Sequence, residues 1–221
     1  MAGTMNFERA RFNMVEQQVR PWEVLDGRVL EALTEIKREN FVPAEFRQLA
    51  FADLAVPIAH GQAMMKPVVE GRLLQALQVQ EEDQVLEIGT GSGFVTACLA
   101  RLARQVVSLE IHAELAESAR ARIAQAGIGN CQVLHQDVFD DYRPGQTFNA
   151  IAVTGALASL PENWVRWLKP GGRFFVICGN SPVMEALLLT RQTPEFNEVR
   201  SLFETDLAYL LGAEPTARFQ F

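Results

Sequence analysis

Gln84-Val-Leu-Glu-Ile-Gly-Thr-Gly-Ser-Gly93 is the stretch that decides the fold. Val85 to Ile88 is a short, largely apolar run, the pattern of a strand covered on both faces. Gly89, Gly91 and Gly93 follow at alternate positions, and then Val95, Leu99 and Leu102 recur at helical spacing from Gly93 to Ala103. Strand, glycine-rich turn and helix make the opening of a parallel α/β unit, where main-chain N–H groups at a helix start can meet a ligand. Such a turn alone is weak evidence, because dinucleotide-binding proteins place G-x-G-x-x-G at the same point. Here the spacing is G-x-G-x-G, and Glu87 stands two residues ahead of the first glycine.

A carboxylate at Glu87 would repel a pyrophosphate and suits a ligand with a cationic end, as the methionine end of S-adenosylmethionine is. Working outward, Val106 to Leu109 reads as a second strand and Ala113 to Ala126 as the helix after it. Cys131 to Leu134, Phe148 to Val153 and Arg173 to Cys178 read as strands three to five, with a helix around Glu162 to Leu168. Leu187 to Thr190 and Ala208 to Leu211 are two further strand candidates. The expected fold is one Rossmann-like, doubly wound, mostly parallel sheet of about seven strands. Glu110 ends strand two, where a carboxylate can accept from both ribose hydroxyls. Asp137 follows strand three, where one can accept from an adenine amino group. Exposed acids at strand ends are common, but three at successive strand ends beside a glycine turn all fall on the edge where open α/β sheets bind ligands.

The segment before the glycine turn reads as helix and loop. Asn6 caps a surface helix through Phe7, Met14 and Val15, and Asp26 caps one carrying Val29, Leu30, Leu33 and Ile36. Ala55 to Gln62 is a loop or short strand, and Val68 to Leu77 a helix with Val69, Leu73, Leu74 and Leu77 on one side. The four residues before Met5 are assigned no role. The chain has 221 residues and a net charge of −7 at pH 7, which speaks against a general nucleic-acid binder. Cys98, Cys131 and Cys178 show no metal-ligand or disulfide spacing and read as small buried hydrophobes, in keeping with a reducing cytoplasm. No apolar run reaches membrane-spanning length, and no two histidines are spaced to share a metal.

Leu86-Glu-Ile-Gly-Thr-Gly-Ser-Gly93, with Leu168-Lys-Pro-Gly-Gly-Arg-Phe174, resembles the class I S-adenosylmethionine-dependent methyltransferases. Met14-Val-Glu-Gln-Gln-Val-Arg20, Arg28-Val-Leu-Glu-Ala32, Phe41-Val-Pro43 and Pro57-Ile-Ala-His-Gly-Gln62 narrow this to the protein-L-isoaspartate O-methyltransferase family, in collinear order from about residue 12 to about residue 180. The resemblance implies an N-terminal helical cap and acceptor loop over residues 1–80 and an S-adenosylmethionine-binding domain over 81–221, together one structural unit. It implies methyl transfer to a carboxylate of damaged protein, as the first step of repair. It carries cofactor contacts onto Glu87, Gly89, Thr90, Gly91, Ser92, Gly93, Glu110, Ile111, Asp137 and Val138.

The resemblance breaks at Gly61-Gln-Ala-Met-Met-Lys-Pro67. Where the family carries a threonine and an active-site serine, this chain has Ala63 and Met65, neither of which donates a hydrogen bond to a carboxylate. Gln62, Met65 and Lys66 are the acceptor-loop candidates. Lys66 reads as a point charge that replaces the missing donors or, slightly favoured, as a solvated loop lysine. Asp206 falls near a family arginine. His60, with no carboxylate partner evident, reads as a pocket wall, and His112 and His135 as lining the adenosine site. Met64 and Met65 read as acceptor contact or loop packing, Trp164 and Trp167 as core and surface packing, and Thr154-Gly-Ala156 as acceptor-side by position. The expectation is a methyltransferase with an altered acceptor; the alternatives are a non-catalytic protein that keeps only the cofactor site, and an NAD(P) oxidoreductase.

Overall fold

The computed structural model describes residues 5–140, 142–193 and 197–215, so Met1 to Thr4 lie outside the described residues. Its centre is a seven-stranded sheet built from β3 (Gln84–Ile88), β4 (Gln105–Glu110), β5 (Cys131–His135), β6 (Phe148–Leu157), β7 (Leu168–Asn180), β8 (Val183–Arg191) and β9 (Asn197–Thr205), after a small ribbon of β1 (Val56–Pro57) and β2 (Ala63–Met64). The strand order is β5-β4-β3-β6-β7-β8-β9. The first five of these are mutually parallel, β8 runs antiparallel to β7, and β9 antiparallel to β8. The order reverses direction at β3, beside β6, and that is the crevice where such sheets take ligands.

The described residues form five α-helices: α1 (Phe7–Asn13), α2 (Gly27–Glu35), α3 (Pro67–Leu77), α4 (Phe94–Leu102) and α5 (Ala113–Gln125). The expected caps form, since Asn6 Oδ1 accepts from Arg9 N at 3.0 Å and Asp26 Oδ1 from Arg28 N at 2.9 Å. The first helix does not stay on the surface, however. It passes into a π-helical turn, Met14–Val19, that buries Met14, Val15 and Val19 against the body. One continuous core joins those residues and Leu33 to Leu73, Leu99, Ala150 and Phe175, so the N-terminal segment shares its apolar interior with the sheet.

Two expectations near the C-terminus need correction. Glu162–Trp167 is 3₁₀ turn, not α-helix, and Leu168 already belongs to β7; Trp164 is buried and Trp167 half-buried. Among the described residues the last strand is β9, not Ala208 to Leu211. Its sequence, Asn197-Glu-Val-Arg-Ser-Leu-Phe-Glu-Thr205, is polar because it is a largely exposed edge strand, and so it shows no apolar run. Residues 208–211 are apolar because they run over the ligand crevice, where Tyr209 makes only an isolated bridge to Ala156.

Candidate active site

Two adjoining cavities lie at the carboxyl ends of β3, β4 and β6. The larger is a cleft of about 710 Å³, open to solvent, and the smaller a chamber of about 310 Å³ between the glycine turn and the β1–β2 hairpin. Gly89, Gly91 and Gly93 all have positive φ, and Gly89 N and Thr90 N both donate to Leu109 O, at 2.9 and 3.1 Å. Gly89 has no room for a side chain, because a Cβ there would lie 2.6 Å from Thr154 Oγ1. Gly93 serves packing instead: a Cβ would press on Ala119 of α5 at 3.1 Å. Of the turn, Gly89 and Gly91 line both cavities, Thr90 and Ser92 line the chamber, and Gly93 lines neither.

Glu87 is fully buried at the floor of the chamber. Its Oε2 accepts from Thr96 Oγ1 at 2.5 Å and Ser108 Oγ at 2.6 Å, while Oε1 has no partner. Burial pushes its carboxyl up to about 7, against the opposing pull of those two hydroxyls. A buried carboxylate oxygen left without a donor is costly unless a ligand supplies one. Glu110 lines the cleft and holds its shape, as Oε2 accepts from Gly91 N at 2.7 Å and Oε1 from His112 N at 3.0 Å. Asp137 is half-buried in the same cleft with Oδ1 accepting from Phe139 N at 2.8 Å, and Ile111 and Val138 are also in its wall. His112 lines the cleft, whereas His135 is turned to Ile111 O at 3.1 Å and does not.

The opposite wall is the hairpin, paired Val56 with Met64 and Pro57 with Ala63. Gln62 and Ala63 reach the cleft, and Met64 and Met65 are buried in the wall of the chamber. Lys66 is exposed ahead of α3 and lines neither cavity. The hairpin also corrects the reading of His60: its Nε2 lies 3.0 Å from Glu114 Oε2, and its ring stacks on His112 with centroids 4.1 Å apart. Thr154 and Gly155 line the cleft as expected, with the Thr154 hydroxyl donating to the main-chain carbonyls of Ile88 and Gly89.

Two features were not read from the sequence. Arg38 is completely buried, donates from Nε and Nη2 to both oxygens of Glu70 at 3.0 and 3.1 Å, and donates to Ala50 O and Met65 O at 2.8 Å. Burial raises the Glu70 carboxyl while Arg38 pulls it down. The signal was present, since Glu70 falls in register with Leu73, Leu74 and Leu77 on the buried stripe of α3, and a charge there requires a partner. The second is the strap after β9. Leu207 and Leu210 line the cleft, and the strap is tied by Ala156 N to Ala208 O at 2.8 Å and Leu210 N to Ala156 O at 2.9 Å. Asp206, just before it, is exposed. Among the described residues lining either cavity the charged side chains are Glu70, Glu87, Glu110 and Asp137, with no lysine or arginine.

Residues 10–202 match the profile of the protein-L-isoaspartate (D-aspartate) O-methyltransferase family. The chain belongs to that family. A protein-L-isoaspartate O-methyltransferase of Myxococcus xanthus is 39% identical over 192 residues, which span 86% of this chain and 91% of that one. Protein-L-isoaspartate O-methyltransferase 1 of Rhodopseudomonas palustris is 35% identical over 210 residues, 95% of this chain and 86% of the other. Among solved structures, one assigned to the same methyltransferase from Plasmodium falciparum, in complex with S-adenosyl-L-homocysteine, superposes with a TM-score of 0.80 over 94% of this chain and 99% of that one at 18% identity. At that identity the likeness speaks for the fold. Family membership makes the chain an S-adenosylmethionine-dependent methyltransferase, and favours an enzyme over a non-catalytic binder.

Proposed function

We propose that the protein transfers the methyl group of S-adenosylmethionine to an acceptor on damaged protein, with an acceptor wall that handles an isoaspartyl carboxylate weakly. The observation that carries the first half is the unpartnered, buried Oε1 of Glu87 beside a glycine turn in which Gly89 has no room for a side chain. Glu87 would receive the ammonium of the cofactor's methionine end, Glu110 the ribose hydroxyls and Asp137 the adenine amino group. Ile111 and Val138 would flank the adenosine, and the main chain of Gly89 and Gly91 would lie against the cofactor. Thr90 and Ser92 support this cradle through Ser108 Oγ at 2.5 Å and Phe94 N at 3.3 Å. Gly93 is assigned to helix packing, not to contact.

When bound, the cofactor supplies a methyl group on a sulfonium, and transfer is an in-line displacement. A carboxylate acceptor is already ionised at pH 7, so this chain needs no general base, and alignment of the acceptor does most of the work. Alignment is where the chain departs from its family. Ala63 and Met65 offer no donors, the Thr154 hydroxyl is spent on main-chain carbonyls, no lysine or arginine lines either cavity, and Arg38 behind the wall is spent on Glu70. A desolvated carboxylate gains little there. Gln62 has the only side-chain amide on the hairpin wall and is assigned to the acceptor. The three free thiols suit a reducing cytoplasm.

Equilibrium binding of S-adenosylmethionine against NAD, followed by labelled-methyl transfer to an isoaspartyl peptide beside a hydroxyl-bearing relative, tests the reading. Binding of S-adenosylmethionine alone, with peptide turnover well below the relative's, is the expected result. Preferential NAD binding would end the cofactor assignment, and turnover equal to the relative's would end the acceptor assignment.

A further inference from the structure

The β1–β2 hairpin and the start of α5 are opposite walls of the cleft: Ile58, Gln62 and Ala63 line it from one side, His112 and Leu115 from the other. The hairpin tip crosses between them. Its own main-chain bonds, Ile58 N to Gln62 O at 2.8 Å and Gln62 N to Ala59 O at 3.2 Å, are internal and hold the tip to nothing else. Ala59, His60 and Gly61 are exposed. The tether is His60, which meets Glu114 Oε2 at 3.0 Å through Nε2 and stacks on His112 with rings 4° from parallel. His60 sits at φ +60, a left-handed conformation that a non-glycine residue adopts only where surroundings hold it. His112 Nε2 is buried with no partner of its own.

We propose that His60 is a positioning residue that clasps the acceptor hairpin shut across the cofactor cleft, and that opening this clasp limits cofactor exchange. The proposal rests on the cofactor reading above. The contact suits a gate better than a strut. Glu114 is 81% exposed, so its pair with His60 adds little to global stability. The same pair and stack join the hairpin tip to the start of α5, beside His112 in the cleft wall. Closure also sets Gln62 and Ala63 against the cleft, so the clasp holds the acceptor wall in register with the cofactor.

The test compares wild type with His60→Ala, His60→Gln and Glu114→Ala. Amide exchange of Ile58 and Gln62 is measured without cofactor, and release of S-adenosyl-L-homocysteine by stopped flow. For His60→Ala the expectation is roughly tenfold faster release, the combined weight of one stack and one exposed pair. Hairpin exchange should rise in parallel while the melting temperature stays within about 2 °C of wild type. Glu114→Ala should give part of this effect, and His60→Gln, whose amide can still reach Glu114, should recover part of the wild-type rate. Unchanged hairpin exchange in His60→Ala overturns the clasp, as does release at the wild-type rate from a protein that binds. Failure of the wild type to bind S-adenosyl-L-homocysteine, with hairpin exchange still sensitive to His60, overturns the cofactor reading and with it the role in exchange.

Discussion

The glycine turn at 89–93 and the hairpin at 56–64 face each other across one cleft, yet they are held in different ways. The turn is held by its immediate neighbours: Leu109 O and Glu110 of the adjoining strand take up the N–H groups of Gly89, Thr90 and Gly91. The hairpin depends on distant residues. Arg38, 27 positions upstream of Met65 and buried with Glu70, fixes the chain that leaves β2, and α5 holds the tip. A site half built from local rules and half from long-range contacts can keep its cofactor end while its acceptor end diverges.

The largest effect should come from the long-range side. Arg38→Ala leaves Glu70 buried without its partner and should cost about 3–5 kcal/mol in urea unfolding. A loss under about 1 kcal/mol would mean that the hairpin has other support. Gly89→Ala tests the local side. The left-handed backbone and the 2.6 Å approach to Thr154 Oγ1 predict a stability loss of about 1–3 kcal/mol together with a marked loss of S-adenosylmethionine affinity by titration calorimetry.

Glu87→Gln sharpens the cofactor assignment through pH. The folded protein holds the Glu87 proton up to about 7, above its ordinary value of 4.5, so this group favours the fold below 4.5 and the contribution is lost as pH rises to about 7. A cationic ligand has the opposite preference. S-adenosylmethionine affinity in the wild type should therefore rise with pH through about 7. In Glu87→Gln it should be roughly tenfold weaker or more above the Glu87 titration, and without that rise. The smallest effect is expected at Lys66. Lys66→Ala should change stability by less than about 0.5 kcal/mol and leave the acceptor KM unaltered, because it is exposed and lines neither cavity.

The same contrast governs what was legible in the sequence. Parallel strands buried on both faces announce themselves as apolar runs, and the acids Glu87, Glu110 and Asp137 follow from where those runs end. All three line the cavities. The exposed edge strand β9 has no such run, and Ala208 to Leu211 imitates one because a cleft wall is also apolar. Pairings such as Arg38 with Glu70 and His60 with Glu114 join residues 32 and 54 positions apart, which periodicity does not encode. Glu70 on an apolar helix stripe signalled that a partner was needed, not which one.

The most direct test of a retained cofactor end and an altered acceptor end is one comparison. Single-turnover methyl transfer to an isoaspartyl peptide is measured for the wild type and for the Ala63→Thr, Met65→Ser double variant, alongside the S-adenosylmethionine Kd of each. Equal Kd values are expected, with a transfer rate at least about tenfold higher in the variant, the weight of one or two restored hydrogen bonds to a charged group. A folded double variant with unchanged Kd and no gain in rate would contradict it.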